Sequence, residues 1–235
     1  MEITKREIIA SIVIISVMLI IGFIISGKIT DSQNDKNAEY QKAVQIDDTE
    51  IFQYGMRTNS GNAFVYGELK AVDTVTYPEI SGKYMYVKKV KEKYTRHTKR
   101  VKSGKHYTTR TYYTWDYAGK EDIKCKKITF RDIEFKSVKI QFPEEEYIKT
   151  IKESRRIRYK YYGVSTKHTG TIYTRLADNT ISDKSKFFKD CTIEQALEKS
   201  TSGYGVIIFW VCWIIFIALI VAVFYYFDNR WLEDN

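Results

Sequence analysis

The chain has 235 residues, with 38 Lys plus Arg against 29 Asp plus Glu for a formal charge of +9, and it contains two Pro, twelve Gly and three Cys. That is about one domain's worth of sequence, and the composition excludes collagen-like, low-complexity and disulfide-dense classes. The mean hydropathy of −0.37 is ordinary for a soluble protein, yet it averages two long apolar blocks near the ends with a hydrophilic middle.

Residues 1–7, MEITKRE, form a short head with Lys5 and Arg6. Residues 8–27, IIASIVIISVMLIIGFIISG, carry no charge, and about twenty residues at ~1.5 Å each match a bilayer core of ~30 Å. They predict a first transmembrane helix. The run is longer than the apolar core of a secretory signal and no small-x-small pattern follows before Lys28, which predicts an uncleaved signal anchor. Residues 28–50 are polar and read as a linker with one helical turn. Residues 51–203 follow as a basic β-rich domain, then a second apolar block at 204–227 and a short tail at 228–235. Tyr204 stands at one edge of that block and Tyr225, Tyr226 and Trp231 at the other, the placement of interfacial aromatics in a transmembrane helix. Neither block holds Asp, Glu, Lys, Arg or His, so nothing marks an ion path. Ala10, Ser11, Ser16 and Gly22 permit close helix packing, which is compatible with a homo-oligomer.

The middle, residues 28–203, has 35 Lys plus Arg against 24 Asp plus Glu and so carries the whole positive excess. Strands are predicted where apolar and polar residues alternate. Phe64–Ala71 is one. In Tyr86–Thr95, Tyr86, Val90 and Tyr94 fall on one parity and Lys89, Lys91 and Lys93 on the other. Tyr107–Tyr117 is aromatic at odd positions, and Ser103-Gly104 between these runs predicts a hairpin. Cys125–Phe130 and Ile133–Phe142 follow, the latter with a bulge or break between Phe135 and Val138. After Pro143, EEEYIKTIKES predicts a short helix. In Arg155–Tyr162, Ile157, Tyr159 and Tyr161 face one way and Arg156, Arg158 and Lys160 the other; the following HTGTIYTRL is predicted to return as its partner. TIEQALEKS has a capping-box spacing from Thr192 to Gln195. The predicted fold class is a membrane protein in which two transmembrane helices flank a mostly antiparallel β domain with about two short helices.

Site chemistry is sparse. Gly104-Lys105 lacks the upstream Gly and the following Ser or Thr of a phosphate loop, and His97, His106 and His168 have no partner at metal spacing. Asp73, Glu79 and Glu144–Glu146 are not paired with a nucleophile, and no GxSxG is present. Cys125 and Cys191 are either a disulfide or two buried thiols. The sequence therefore predicts no catalytic residue, no metal and no cofactor. Its strongest signal is nine cations between Lys88 and Lys105, interrupted only by Glu92. The predicted binding face is Lys89, Lys91, Lys93, Arg156, Arg158 and Lys160, facing a protein partner, an anionic lipid surface or an anionic polymer. Nucleic acid is less favoured, and the bland alternative is a solvated sheet face with a Lys-guarded edge.

The stretch VYGELKAVDTVTYPEISGKYMYVKKVKEKY, with Gly67, Pro78, Ser81, Gly82, Tyr84 and Val87, then Trp115 and the pair Phe130 and Asp132, resembles the GIDE domain. That domain is the membrane-inserted β-rich module of mitochondrial outer-membrane RING ubiquitin ligases, with prokaryotic relatives. The resemblance covers residues 63–135 and the span, β domain, span order. It implies a sensing or partner-binding domain on the non-cytosolic side, and the absence of RING cysteines after the second span means that ligase activity does not carry over. Lysines flanking the loop argue for the opposite side, but that rule governs loops of up to ~60 residues. The expected function is a non-catalytic, double-anchored membrane protein whose basic β domain binds a partner or anionic surface outside the cytoplasm. The alternatives are a permeability-modulating effector gated by the β domain, and nucleic-acid or inner-leaflet binding if the loop is cytoplasmic.

Overall fold

The computed structural model describes residues 5–103, 106–201 and 203–233. It divides into two units, Met1–Lys42 with Leu197–Asn235, and Ala43–Ala196.

The first unit is built on two helices, α1 (Lys5–Gln41) and α4 (Gly205–Glu233). Both are long and apolar enough to cross a membrane by length and composition. They run antiparallel with a regular register: Arg6 pairs with Asp228 at 2.7 Å, Ser11 Oγ donates to Tyr225 OH at 3.1 Å, and Trp210 Nε1 donates to Ser26 Oγ at 3.1 Å. Trp213 Nε1 donates to the Met18 carbonyl at 3.0 Å, and its indole lies where a Cβ on Gly22 would stand. Both indole N–H groups thus find acceptors among apolar neighbours, where an unmet donor is costly. Contrary to the linker expected at residues 28–50, α1 continues through its polar half to Gln41, about 55 Å in all. A helix already nucleated by the apolar run gains one hydrogen bond per added residue, and no Pro stops it.

The second unit contains two sheets. The first has strand order β10-β9-β2-β5-β6, from β10 (Thr180–Ile181), β9 (Lys167–Ala177), β2 (Gly61–Ala71), β5 (Lys127–Phe130) and β6 (Ile133–Lys136). Two further strands flank it: β1 (Val44–Ile46) pairs parallel with β2, and β11 (Lys186–Lys189) pairs antiparallel with β9. The second sheet has order β4-β3-β8-β7, from β4 (His106–Lys124), β3 (Tyr84–Ser103), β8 (Ile157–Ser165) and β7 (Glu146–Lys152). Helix α2 (Thr49–Thr58) starts at the end of the expected linker and fills the beginning of the β-rich domain, ahead of its first expected strand. Asp48 caps it, accepting from the amides of Glu50 and Ile51 at 2.7 and 2.9 Å, and Asn59 ends it at φ 55°. Its buried Phe52 and Met56, one turn apart, join Val65, Ile128, Phe130 and Phe135 in the main core.

Two local expectations change, and two alternatives that the sequence leaves open are decided. The run after Pro143 is strand β7 rather than a helix, because Ile148, Thr150 and Ile151 suit the open edge of β8. β8 and β9 do not pair: the chain turns at Thr166 from one sheet to the other, so β8 bonds β3 and β9 bonds β2. The parity change after Phe135 is a single 3-10 turn, Ser137–Lys139, which buries Ser137 and leaves Val138 exposed. Cys125 and Cys191 are separate buried thiols rather than a disulfide. The hairpin between β3 and β4 forms as expected, with Ser103 opposite His106, although Gly104 at its turn lies outside the described residues. Helix α3 (Ile193–Thr201) has the expected box, Gln195 Oε1 accepting from the Thr192 amide at 3.1 Å while Thr192 Oγ1 accepts from the Gln195 amide at 3.4 Å.

The first sheet requires one close backbone approach. Gly170 on β9 lies opposite Gly67 and Lys189, and a Cβ there would overlap the Phe188 carbonyl oxygen and stand 3.0 Å from the Phe187 ring. Because the obstacle is backbone, Gly170→Ala is expected to destabilise the protein by roughly 1–3 kcal/mol, the range for overpacked cores; a thermal melt equal to wild type would contradict this packing.

Candidate functional site on the second sheet

Cross-strand register decides which side chains share a face. Lys89, Lys91 and Lys93 on β3 lie opposite Tyr161, Tyr159 and Ile157 on β8, whereas Arg158 and Lys160 lie opposite Glu92 and Val90. The six cations expected to form one basic face therefore do not do so. Lys89, Lys91 and Lys93 occupy one face of the sheet, and Arg158 and Lys160 the other. Arg156 precedes β8 with its side chain exposed, and its carbonyl accepts from the Tyr94 amide at 2.8 Å.

The face bearing Lys89 is partly covered by the segment between β2 and β3. Val75, Tyr77 and Ile80 pack there against Val87 and Tyr161 in a second, smaller core. Lys89 is 16% exposed and bonds Glu79 at 3.1 Å, with Nζ 4.6, 5.3 and 5.8 Å from the ring centroids of Tyr159, Tyr77 and Tyr161. Burial pulls its ammonium pKa down, but Glu79 and Tyr161 outweigh that and hold it above the ordinary lysine value. Lys89 is a structural cation inside a tyrosine cage. Lys91 reaches the same Tyr159 ring at 6.0 Å, and Lys93 is exposed. A cleft of about 190 Å³ opens beside Lys89 and Lys91, where β4 bulges at Ala118 and Gly119 adopts φ +138°.

On the opposite face, Glu92 is the pivot. It accepts from Arg158 Nε at 2.5 Å and Lys160 Nζ at 2.9 Å, with only 14% of its side chain exposed. Burial raises its carboxyl pKa, but the hydrogen bonds from Lys160 and Arg158 win and hold it below the ordinary glutamate value. The Arg158 guanidinium also lies 4.3 Å from the Trp115 ring centroid. Trp115 stands 5.1 Å from Tyr94, and Tyr94 stacks on Tyr113 at 5.3 Å, so a continuous aromatic row leads from Arg158 outward.

The row points along a feature that composition alone did not reveal. β8 leaves β3 at Lys93, but β3 continues to Ser103 paired only with β4. About ten residue pairs, roughly 33 Å at the usual rise, extend as a two-stranded ribbon. Between Glu92 and Asp116 the sequence holds seven Lys or Arg and no acid. Arg96, Arg100 and Lys102 lie opposite Tyr113, Thr109 and Tyr107 on the Trp115 face, with Tyr107 71% exposed. On the other face Lys99 lies directly opposite Arg110, a like-charge pair that disfavours the ribbon itself. Among the described residues, Arg96, Lys99, Arg100, Lys102 and Arg110 have no acidic partner within ion-pair distance. Asp116, opposite Lys93 at the ribbon's base, is engaged by Thr114 and His97, both at 2.7 Å, whose hydrogen bonds lower its pKa. The arrangement is suited to holding an anionic ligand along an aromatic and cationic strip.

Among the described residues, no three His, Cys, Asp or Glu side chains gather at metal-binding distance. The buried His168, its imidazole pKa pushed down by burial, has Nε2 3.2 Å from Ser165 Oγ and ties the corner between β8 and β9. No protein-family model matches the chain, and no curated protein or solved structure matches it either.

The Glu92 carboxyl pKa is held below the ordinary glutamate value in the folded chain, so its stabilising contribution is present above that ordinary value and is lost as pH falls through the depressed one. Glu92→Gln is accordingly expected to lower stability by roughly 1–3 kcal/mol at pH 7, the scale of a broken charged hydrogen bond. The difference from wild type should shrink in acid. Melts of both proteins between pH 3 and pH 7 check this, and a difference independent of pH would remove Glu92 from the pivot.

Proposed function

We propose that the chain is a non-catalytic, double-anchored membrane protein that uses the ribbon of β3 and β4 to bind an anionic partner or surface on the non-cytoplasmic side. The observation that carries the reading is the acid-free ribbon, in which Lys99 faces Arg110 while cations in the body of the sheet are matched by Glu79, Glu92 and Glu145. Electrostatics that costs the fold stability and is left unmatched is accounted for by a ligand of opposite sign. For the membrane, the support is exposure as well as length. Only 11% and 6% of the two apolar windows are buried within the protein, whereas the core helix of a soluble protein would be largely covered. Lipid around these helices accounts for the exposed Ile, Val and Phe side chains. The likeness to the GIDE domain and the signal-like head favour the non-cytoplasmic side for the β unit.

The test uses the full chain in nanodiscs of neutral lipid, with polyglutamate and acidic vesicles as probes. Reversing Lys99, Arg100 and Lys102 to Glu together is expected to weaken binding at least about tenfold, since each such cation near an anionic surface contributes ~1 kcal/mol. The same reversal at Lys126, Lys136 and Lys184 should leave binding within about twofold. Equal losses in the two variants would reduce the ribbon to net charge, and no salt-dependent binding by wild type would end the proposal.

The side of the membrane is tested separately, by placing a reporter pair active on opposite sides at Asn235 and in the turn after Ser103. The expected result is a non-cytoplasmic turn. A cytoplasmic turn would overturn the location and make nucleic acid or the inner lipid leaflet the leading partner.

A further inference from the structure

We infer that the outer edge of β4 is a strand-addition site for an acidic, extended segment of a partner protein. This deepens the anionic-partner reading and rests on it. β4 is an edge of the second sheet, bonded to β3 along one side and, among the described residues, to no strand along the other. From His106 to Thr114 every residue is exposed, so no part of the described structure covers that edge.

Other sheet edges are protected in the ways that discourage pairing. β7, at the far side of the same sheet, has seven residues, a register break between Tyr147 and Lys149, and the charges Lys149 and Lys152. In the first sheet β6 has four residues, with Glu134 and Lys136, and β10 has two. β4 has nineteen. Its segment His106–Tyr117 lies before the bulge and contains no Pro, Gly or Lys; it consists mostly of Thr, Tyr and Trp, the residues that favour strands. The outer side of β3 within the ribbon is a poorer template, because a strand added there would meet the turn that precedes β8, whereas the edge of β4 runs on from the ribbon along the whole sheet.

Charge selects the occupant. A strand added to β4 lies about 4.8 Å from it, well inside the Debye length of ~8 Å at physiological salt, and about 9.6 Å from β3, a little beyond that length, so the β3 cations act on it through a partly screened field. Arg110 would be adjacent, and Arg96, Lys99, Arg100 and Lys102 one strand further. A second copy pairing through β4 would bring two such cationic ribbons together, so the field that attracts an acidic strand also opposes self-association. Backbone hydrogen bonds would then hold the guest while its carboxylates set specificity.

The experiment uses the full chain in neutral-lipid nanodiscs and a twelve-residue peptide alternating Glu with Val. Its controls are the same peptide N-methylated along its central six residues, which keeps the charge and removes the backbone donors, and a Lys-for-Glu peptide. Amide exchange is followed by NMR. The expected result is binding of the Glu peptide, with amides of residues 106–117 newly protected at every second position, and at least tenfold weaker binding of the N-methylated peptide. The Lys peptide should bind only the variant with Lys99, Arg100 and Lys102 reversed to Glu. Equal, salt-dependent binding of both Glu peptides without alternating protection would overturn strand addition and leave the anionic-partner reading intact. No binding of any acidic probe would end both. Protection of β4 that rises with protein concentration and needs no peptide would make a second copy the occupant and overturn the acidic-partner inference.

Discussion

The second sheet depends on a mismatch of length along β3. This strand pairs with β4 over its whole length but with β8 only through Lys93. Where β8 stops, a four-stranded sheet becomes a two-stranded ribbon, and an isolated ribbon of that kind is marginally stable in water at best. What steadies it sits at the junction. Glu92 pins Arg158 and Lys160, Arg158 lies over Trp115, and Trp115, Tyr94 and Tyr113 carry the packing outward past the last residue of β8. The same side chains that hold the ribbon also open the strip along which a ligand would lie.

Basic residues in this chain do two different jobs, and counting them together hides the distinction. Lys89 is enclosed by three tyrosines and Glu79, and Lys88 pairs with Glu145 over the Tyr162 ring. These cations are partly desolvated and matched, so removing one gives up its ion pair together with its contacts to the tyrosine rings. The cations of the ribbon are solvated, and Lys99 and Arg110 repel one another across the strands. Their removal would cost the fold little or even steady it, which is the behaviour expected of residues retained for a partner.

Much of the architecture was legible because the signals were local. Twenty uncharged apolar residues, a two-residue alternation in Tyr86–Thr95, and the spacing of Thr192 and Gln195 each depend only on near neighbours. What was not legible was long-range. Parity separated Lys89, Lys91 and Lys93 from Tyr86 and Val90 correctly, and Arg158 and Lys160 from Tyr159 likewise, but parity within one strand does not say which face of the neighbouring strand it matches. One residue of register inverts the answer, and so one expected basic face became two. The helix expected after Pro143 failed for a related reason: YIKTIK supports either periodicity, and the open edge of β8 decided it. Helix α2 was missed because its buried pair, Phe52 and Met56, spans a single turn, too short a stretch for periodicity to register.

The exposed edge of β4 and the unmatched charge of the ribbon each look unfavourable alone. A long uncapped edge invites aggregation, and a run of cations without acids strains the hairpin that carries it. Together they compensate. Repulsion between ribbons suppresses the edge-to-edge pairing that Thr and Tyr would otherwise promote, and the edge gives the charge a defined geometry instead of a diffuse field. The pairing of β3 with β8 ends at Lys93, so neither feature takes part in closing the four-stranded part of the sheet. On the proposed reading their coincidence on one strand pair serves recognition, through backbone groups as well as side-chain charge.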